Sequence, residues 1–386
     1  MDKIDELLNR GVANIIPNRD ELKRLMATGK KLNVYLGIDP TSTKIHLGHA
    51  VVLRKLSELA KLGHNVTFLI GDFTALIGDT SDKDTERPVL TSVEIQENFK
   101  TYQKQAEKIL DFSKVKVGYN SEWLKKLSFE ETVKLCQKFS VGDFISRELI
   151  KKRLTEGKRI GLHEVLYPIM QGYDSLTLDT DIQVGGTDQT FNMQAGRTLI
   201  KELKNKESFV LAIEFLMGTD GRKMSKTWGN SIWLDDNPND MFAKVMAIKD
   251  ELINQYFVLA TNTNLKKIKE IEGNKNPMDA KKELAKIIVT ELHSAKAAID
   301  AAENFKKTVQ NKETPSEIIN INVSDGATVS EIIIAAKFAS SKSEAKRLIE
   351  QGGVILNEKR VTDPDAKIEG GILKVGKRRF AKLALE

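Results

Sequence analysis

The chain contains one cysteine, Cys136, in 386 residues. A disulfide within the chain and a cysteine-built zinc site are both excluded, and such sparing use fits a reducing compartment. No uninterrupted run of about 18 apolar residues occurs, so no membrane-spanning helix is expected. The opening Met1-Asp2-Lys3-Ile4-Asp5-Glu6 mixes charges and lacks an apolar segment, which argues against a secretory signal and for a cytoplasmic location. Solenoid-type repeats and low-complexity tracts are absent as well. Neither sign of charge dominates: 60 Lys and Arg against 54 Asp and Glu leave +6, too mild an excess to demand a polyanionic partner. The excess is unevenly spread. Half of it falls between Asp325 and Glu386.

What is present is ordinary for a folded protein, 40% hydrophobic and 30% charged, and the length predicts two or three domains. Leu32–Ile38 reads as a strand ending at Asp39-Pro40-Thr41-Ser42, a helical pattern runs from about His46 to Ala60, and Val66–Ile70 is a short buried strand. Strand, helix and strand at this spacing predict a βαβ unit and an α/β fold with a parallel sheet.

Two of only five histidines flank that helix start in His46-Leu47-Gly48-His49. Three residues apart, they share one face at the helix end where N–H groups and the macrodipole favour an anion. Gly48 removes a side chain between them, room for a flat base or ribose, and Thr41 and His46 stand near enough to reach triphosphate oxygens. A P-loop does not explain the site. Gly371 to Lys377 alone has that spacing, is followed by Arg378, and lies far from any strand-to-helix turn. A second constellation, Gly221-Arg222-Lys223-Met224-Ser225-Lys226-Thr227-Trp228-Gly229, sets two lysines three apart in a glycine-flanked loop. Such lysines suit a polyphosphate whose charge peaks in a transition state. Taken singly, each has a plainer reading, as a glycine-containing helix start and as an exposed basic loop.

Together, His-Leu-Gly-His followed by Lys-Met-Ser-Lys-Thr resembles the paired signature of class I aminoacyl-tRNA synthetases, with Leu47 for Ile and Thr227 for Ser. The resemblance implies a Rossmann-like catalytic domain with both motifs around ATP. Four stretches resemble the tyrosyl branch in its bacterial form: Tyr35–Thr41, Ala75–Asp79, Tyr167–Asp174 and Gln183–Gln189. Spaced four and then three apart, Tyr167, Gln171 and Asp174 occupy one helix face.

By that resemblance, Tyr35 and Asp174 bind a phenol, and Asp79, Tyr167 and Gln171 bind an α-ammonium. Gln189 lies by the reacting carboxylate and Asp188 by the ribose. Gly37, Asp39, His46, Gly48, His49, Asp188 and Lys226 line the ATP site. His46, His49, Lys223, Lys226, Thr41, Lys83 and Arg87 assist catalysis. Thr80 and Asp82 stand where the family usually has Pro and Gly, and Leu36 and Val52 are apolar where some relatives are polar. ATP is expected as a substrate with Mg²⁺ on its polyphosphate, without a tightly bound cofactor or resident metal. The implied reaction activates L-tyrosine and transfers it to tRNA(Tyr).

The domains are expected at 1–235 (catalytic), 236–312 (helical, facing the anticodon arm), 313–325 (linker) and 326–386. The last begins with a basic helix at Ser341–Gln351 stopped by Gly352-Gly353, then a hairpin turning near Asn357. It resembles the RNA-binding module of ribosomal small-subunit protein four. Lys342, Lys346 and Arg347 on the helix, with Lys377 and Arg378 further on, are the expected RNA contacts. The resemblance also implies a homodimer. Rival readings are a tryptophanyl enzyme, a non-catalytic RNA-binding paralogue and another nucleotidyltransferase of the superfamily.

Overall fold

The structure is a computed structural model that describes residues 3–79, 91–225, 228–274, 276–310, 319–324, 326–339, 341–357, 359–368, 370–376 and 379–385. The chain packs as two units, residues 1–294 and 295–386. The helical segment expected over 236–312 is divided between them. Its helices through Pro277–Leu292 pack in the first unit, while Ala295–Phe305 belongs to the second.

The first unit is built on six strands: β1 (Val12–Ile16), β2 (Asn33–Ile38), β3 (Asn65–Ile70), β4 (Val115–Tyr119), β5 (Ile182–Gly186) and β6 (Phe209–Ile213). Their order is β1-β6-β5-β2-β3-β4, all neighbours parallel except β1 against β6. Every residue of β6, Phe-Val-Leu-Ala-Ile, is buried, the continuous apolar run that a strand covered on both faces requires. The expected strand–helix–strand is present, with helix Leu47–Lys61 joining β2 to β3.

From the adjacent β2 and β5 the chain leaves in opposite directions, to β3 on one side and β6 on the other. The crevice beyond their carboxyl ends is therefore the topological switch point, where open α/β sheets hold ligands. Helices Leu162–Thr177 and Thr190–Lys204 flank β5 and cross so closely that a Cβ on Gly172 would stand 3.2 Å from the Ala195 backbone. No helix among the described residues is long and apolar enough to cross a membrane.

The second unit carries a five-stranded sheet in the order β7 (Ile319–Val323), β11 (Arg379–Leu385), β10 (Gly371–Val375), β8 (Val354–Leu356), β9 (Lys359–Arg360). One face packs on Val329, Ile332, Ile333 and Ile349. Helix Lys342–Glu350 is capped by Ser341, whose hydroxyl accepts from the Glu344 N–H. Gly352 ends it at φ +69°, where an added Cβ would overlap the Arg360 guanidinium. Asn357, also at positive φ, turns the β8–β9 hairpin.

Candidate active site

A cavity of about 320 Å³ opens at the switch point between β2 and β5. Thr41, His46, Gly48, His49, Gly37, Asp39, Asp188 and Lys223 line it, as do Tyr35, Asp79, Tyr167, Gln171, Asp174 and Gln189. The described residues expected from both signatures and from the amino-acid pocket thus share one space. Lys83, Arg87 and Lys226 lie outside the described residues, as do Asp82, Lys377 and Arg378.

At the nucleotide-like end, His46 caps helix Leu47–Lys61 and His49 sits one turn in. Their rings stack at 3.8 Å between centroids, and the His46 backbone N–H donates to His49 Nδ1 at 3.3 Å. Burial, with His49 and Lys223 close by, drives the His46 pKa down to about 2. Its imidazole is therefore neutral at physiological pH, a hydrogen-bonding group and not a cation. Nδ1 of His46 is buried with no hydrogen-bond partner among the described residues. Gly48 lines the cavity, and a Cβ added to it would come within 2.9 Å of that same His46 nitrogen.

The segment after the lysine loop is fastened to this helix start. Leu47 N–H donates to Ile232 O and Leu234 N–H to Ile45 O, each at 2.9 Å, and His46 bridges Trp233. On the other side of the loop, Met217 bridges Lys223. Buried Asn230 ties the loop across its base, accepting from the Ser225 N–H and donating to Asp220 and to Lys223 O. Lys223 Nζ stands 3.2 Å from Asp188 Oδ2 and 4.4 Å over the Phe215 ring.

At the other end, helix Leu162–Thr177 turns Tyr167, Gln171 and Asp174 inward together, as their spacing predicts. Asp174 is 3% exposed. Burial raises its pKa to about 8, partly offset by donors at both oxygens: Trp123 Nε1 at 2.7 Å and Asn120 Nδ2 at 3.2 Å. Tyr167 donates its hydroxyl to Asp39 at 2.9 Å, and Asp39 also accepts from Thr74 at 2.7 Å. Asp79 accepts from the Gln189 amide at 2.7 Å, and Asn192 donates to the other side of that amide at 3.0 Å. Asp39, expected on the ATP side, is thus held by two groups of the amino-acid side.

Thr74, Asn120, Trp123, Ser175 and Asn192 escape the sequence reading. Asn120 reaches Thr74 and Asp174 across 46 and 54 residues, and no local spacing encodes such a meeting. In the second unit Lys342, Lys346 and Arg347 are all exposed, but Lys342 lies 3.1 Å from Glu331 and Lys346 4.0 Å from Asp365.

The model of the class I tRNA synthetases for W and Y matches residues 27–310, and that of the S4 domain matches 331–371. The tyrosine–tRNA ligase of Carboxydothermus hydrogenoformans is 45% identical over 400 residues, spanning 99% of this chain and 97% of its own. That of Thermotoga maritima is 41% identical over 388 residues, spanning 98% and 96%. Among solved structures, the tyrosyl-tRNA synthetase of Archaeoglobus fulgidus complexed with L-tyrosine aligns with a TM-score of 0.61 at 24% identity, covering 77% of this chain and 100% of that one. A truncated mitochondrial tyrosyl-tRNA synthetase of Coccidioides posadasii gives 0.65 at 24%, covering 78% and 91%. At that identity the likeness concerns the fold.

Proposed function

Since the chain belongs to the tyrosine–tRNA ligases of the class I tRNA synthetases, we propose how the residues of its cavity divide the work. The reaction activates L-tyrosine with ATP to tyrosyl-adenylate and pyrophosphate and then transfers tyrosine to the 3′ end of tRNA(Tyr). The observation that carries the assignment of roles is the joining, in one cavity, of a polar helix face with the stacked histidines and Lys223.

Tyr35 and Asp174 take the phenol of the substrate. Phenylalanine in the same place would leave buried polar groups unmatched, the costly outcome for any desolvated donor or acceptor. Asp79, Tyr167 and Gln171 hold the α-ammonium, with Asp79 aimed by Gln189 and Tyr167 by Asp39. The substrate carboxylate then faces the α-phosphorus and attacks it in line. A carboxylate needs no general base, so catalysis reduces to positioning and to stabilising charge on the phosphates. Neutral His46 supplies an N–H donor, with the His49 ring stacked beside it, and Lys223 a cation. Asp188 holds Lys223 until ribose hydroxyls compete for it. Thr41, Gly37 and Gly48 shape the nucleotide side, and Lys226, Lys83 and Arg87 join it by motif. Mg²⁺ enters with ATP, as the counter-ion of its polyphosphate.

The helices of 238–292 and the second unit engage the tRNA, with Lys342, Lys346, Arg347, Lys377 and Arg378 directed at phosphates. The enzyme acts in the cytoplasm as a homodimer. Exposed Phe129, Val133, Val141, Ile145, Leu154 and Leu162, all within positions 129 to 162, support the dimer, because large apolar side chains left exposed along one stretch of chain suit an interface. Amino-acid-dependent ATP–pyrophosphate exchange with tyrosine, tryptophan, phenylalanine or no addition tests the reading. Exchange is expected with tyrosine; exchange with tryptophan in its place would overturn the assignment of the pocket.

A further inference from the structure

Around the Tyr35 hydroxyl stand buried polar groups that none of the roles above uses. Tyr35 is 2% exposed, and its hydroxyl is held by three oxygen partners. Ser175 Oγ stands 2.7 Å from it, Gln183 Oε1 accepts from it at 3.2 Å, and the carbonyl of Gln171 lies at 3.4 Å. The Gln183 amide cannot turn over freely. Its Nε2 donates to the Met193 carbonyl at 2.9 Å, which leaves Oε1 as the atom presented to Tyr35. Ser175 and Gln183 are themselves buried, at 0% and 1% exposure.

The third component is a gap. Gly196, on helix Thr190–Lys204, has no side chain where a Cβ would stand 2.4 Å from Ser175 Oγ and 2.7 Å from both polar atoms of the Gln183 amide. Helix Leu162–Thr177 brings Ser175, β5 brings Gln183, and Gly196 lets both meet Tyr35. A phenolic oxygen has one proton and two lone pairs. With Gln183 accepting its proton and Ser175 on one lone pair, one lone pair is left for a ligand of the cavity that Tyr35 lines.

We infer that Ser175 and Gln183, admitted by Gly196, are positioning residues for substrate selection: they aim the Tyr35 hydroxyl at the phenol of the incoming amino acid. The inference rests on the tyrosine reading of the pocket. Ser175 is not among the residues that line the cavity, and Gln183, which is, has its amide engaged by Tyr35 and the Met193 carbonyl. Their effect passes through Tyr35, so it falls on ligands with a hydroxyl and spares those without.

The test is steady-state ATP–pyrophosphate exchange by the full chain, reading KM for tyrosine and the inhibition constant of phenylalanine as a competitor. In Ser175→Ala the tyrosine KM is expected to rise about five-fold, the value of one hydrogen bond of about 1 kcal/mol, with phenylalanine inhibition unchanged. In a Tyr35→Phe background the same substitution is expected to have no further effect on tyrosine KM. Gln183→Met, close in volume but unable to bond, should repeat the pattern and stands in where Ser175→Ala folds poorly. Equal weakening of tyrosine and phenylalanine, or an undiminished effect in the Tyr35→Phe background, would overturn the inference by reducing both residues to packing. Wild-type exchange with tryptophan and not tyrosine would instead overturn the pocket assignment, a separate result.

Discussion

His46 carries its charge state as a consequence of where it sits. Burial holds its pKa near 2, against about 6.5 for an exposed imidazole. A base depressed in the folded state contributes stability that is full above about pH 6.5 and is lost as pH falls toward the folded value. His46→Gln is therefore expected to lose less Tm than the wild type between pH 7.5 and 5.5, measured by thermal melts in parallel. Because the imidazole is already neutral, the same variant should lower the activation rate without changing the shape of its pH profile over that range. Lys223 makes a different prediction. Placed over Phe215 and beside Asp188, it is the cation proposed for the phosphates and not for the amino-acid end. Lys223→Ala should slow adenylate formation by about ten- to a thousand-fold, as removal of a transition-state charge partner does, with the tyrosine dissociation constant nearly unchanged in pre-steady-state fluorescence titration. Equal losses in both would remove Lys223 from its role.

Among the elements, helix Leu162–Thr177 bears the greatest demand, because it presents three pocket residues and packs on a neighbour at glycine distance. Gly172→Ala would press a methyl against Leu199 and the Ala195 backbone, an overpacking that costs about 1–3 kcal/mol and should show as a lower midpoint in urea together with a raised tyrosine KM. The same helix begins on a buried ion pair. Arg153 meets Glu164 at 2.6 Å with side chains 2% and 0% exposed, and Glu164 also accepts from the Gly161 N–H at 2.8 Å. Arg153→Leu strands that carboxylate and should cost about 3–5 kcal/mol in denaturant unfolding.

These elements also mark where the sequence is readable. The face of Tyr167, Gln171 and Asp174 follows from helical spacing alone, and the βαβ unit at 32–70 from local periodicity. The partners of that face do not follow. Asn120 and Trp123 reach Asp174 from beyond β4, and long-range meetings leave no periodic trace. Gly48 invites a ligand-facing reading and does line the cavity, but the closeness of the His46 ring to it leaves no trace in spacing. The basic helix of the second unit is legible as basic. Its pairing with Glu331 and Asp365 is not, because those acids arrive from other elements.

The whole molecule divides into residues 1–294 and 295–386. The residues of the cavity all fall in the first unit, so removal of 326–386 should leave tyrosine-dependent exchange largely intact while aminoacylation of tRNA falls. A parallel loss of both would mean that the tail serves the cavity itself. For the proposed homodimer, Val141→Asp combined with Phe129→Asp, at side chains 68% and 85% exposed, is expected to shift sedimentation toward monomer.

The fastening of the lysine loop has a consequence for how this chain tolerates change in length. Lys223 is registered against Met217 at one end, and Trp233 is registered against His46 at the other. The stretch between acts as a gauge of fixed count. One residue added or removed there would shift the Lys223 end against the Trp233 end by up to about 3.5 Å, a full residue's reach. That exceeds what a hydrogen bond can absorb. Substitution in this stretch changes chemistry at one position, whereas insertion changes the calibration of the whole site.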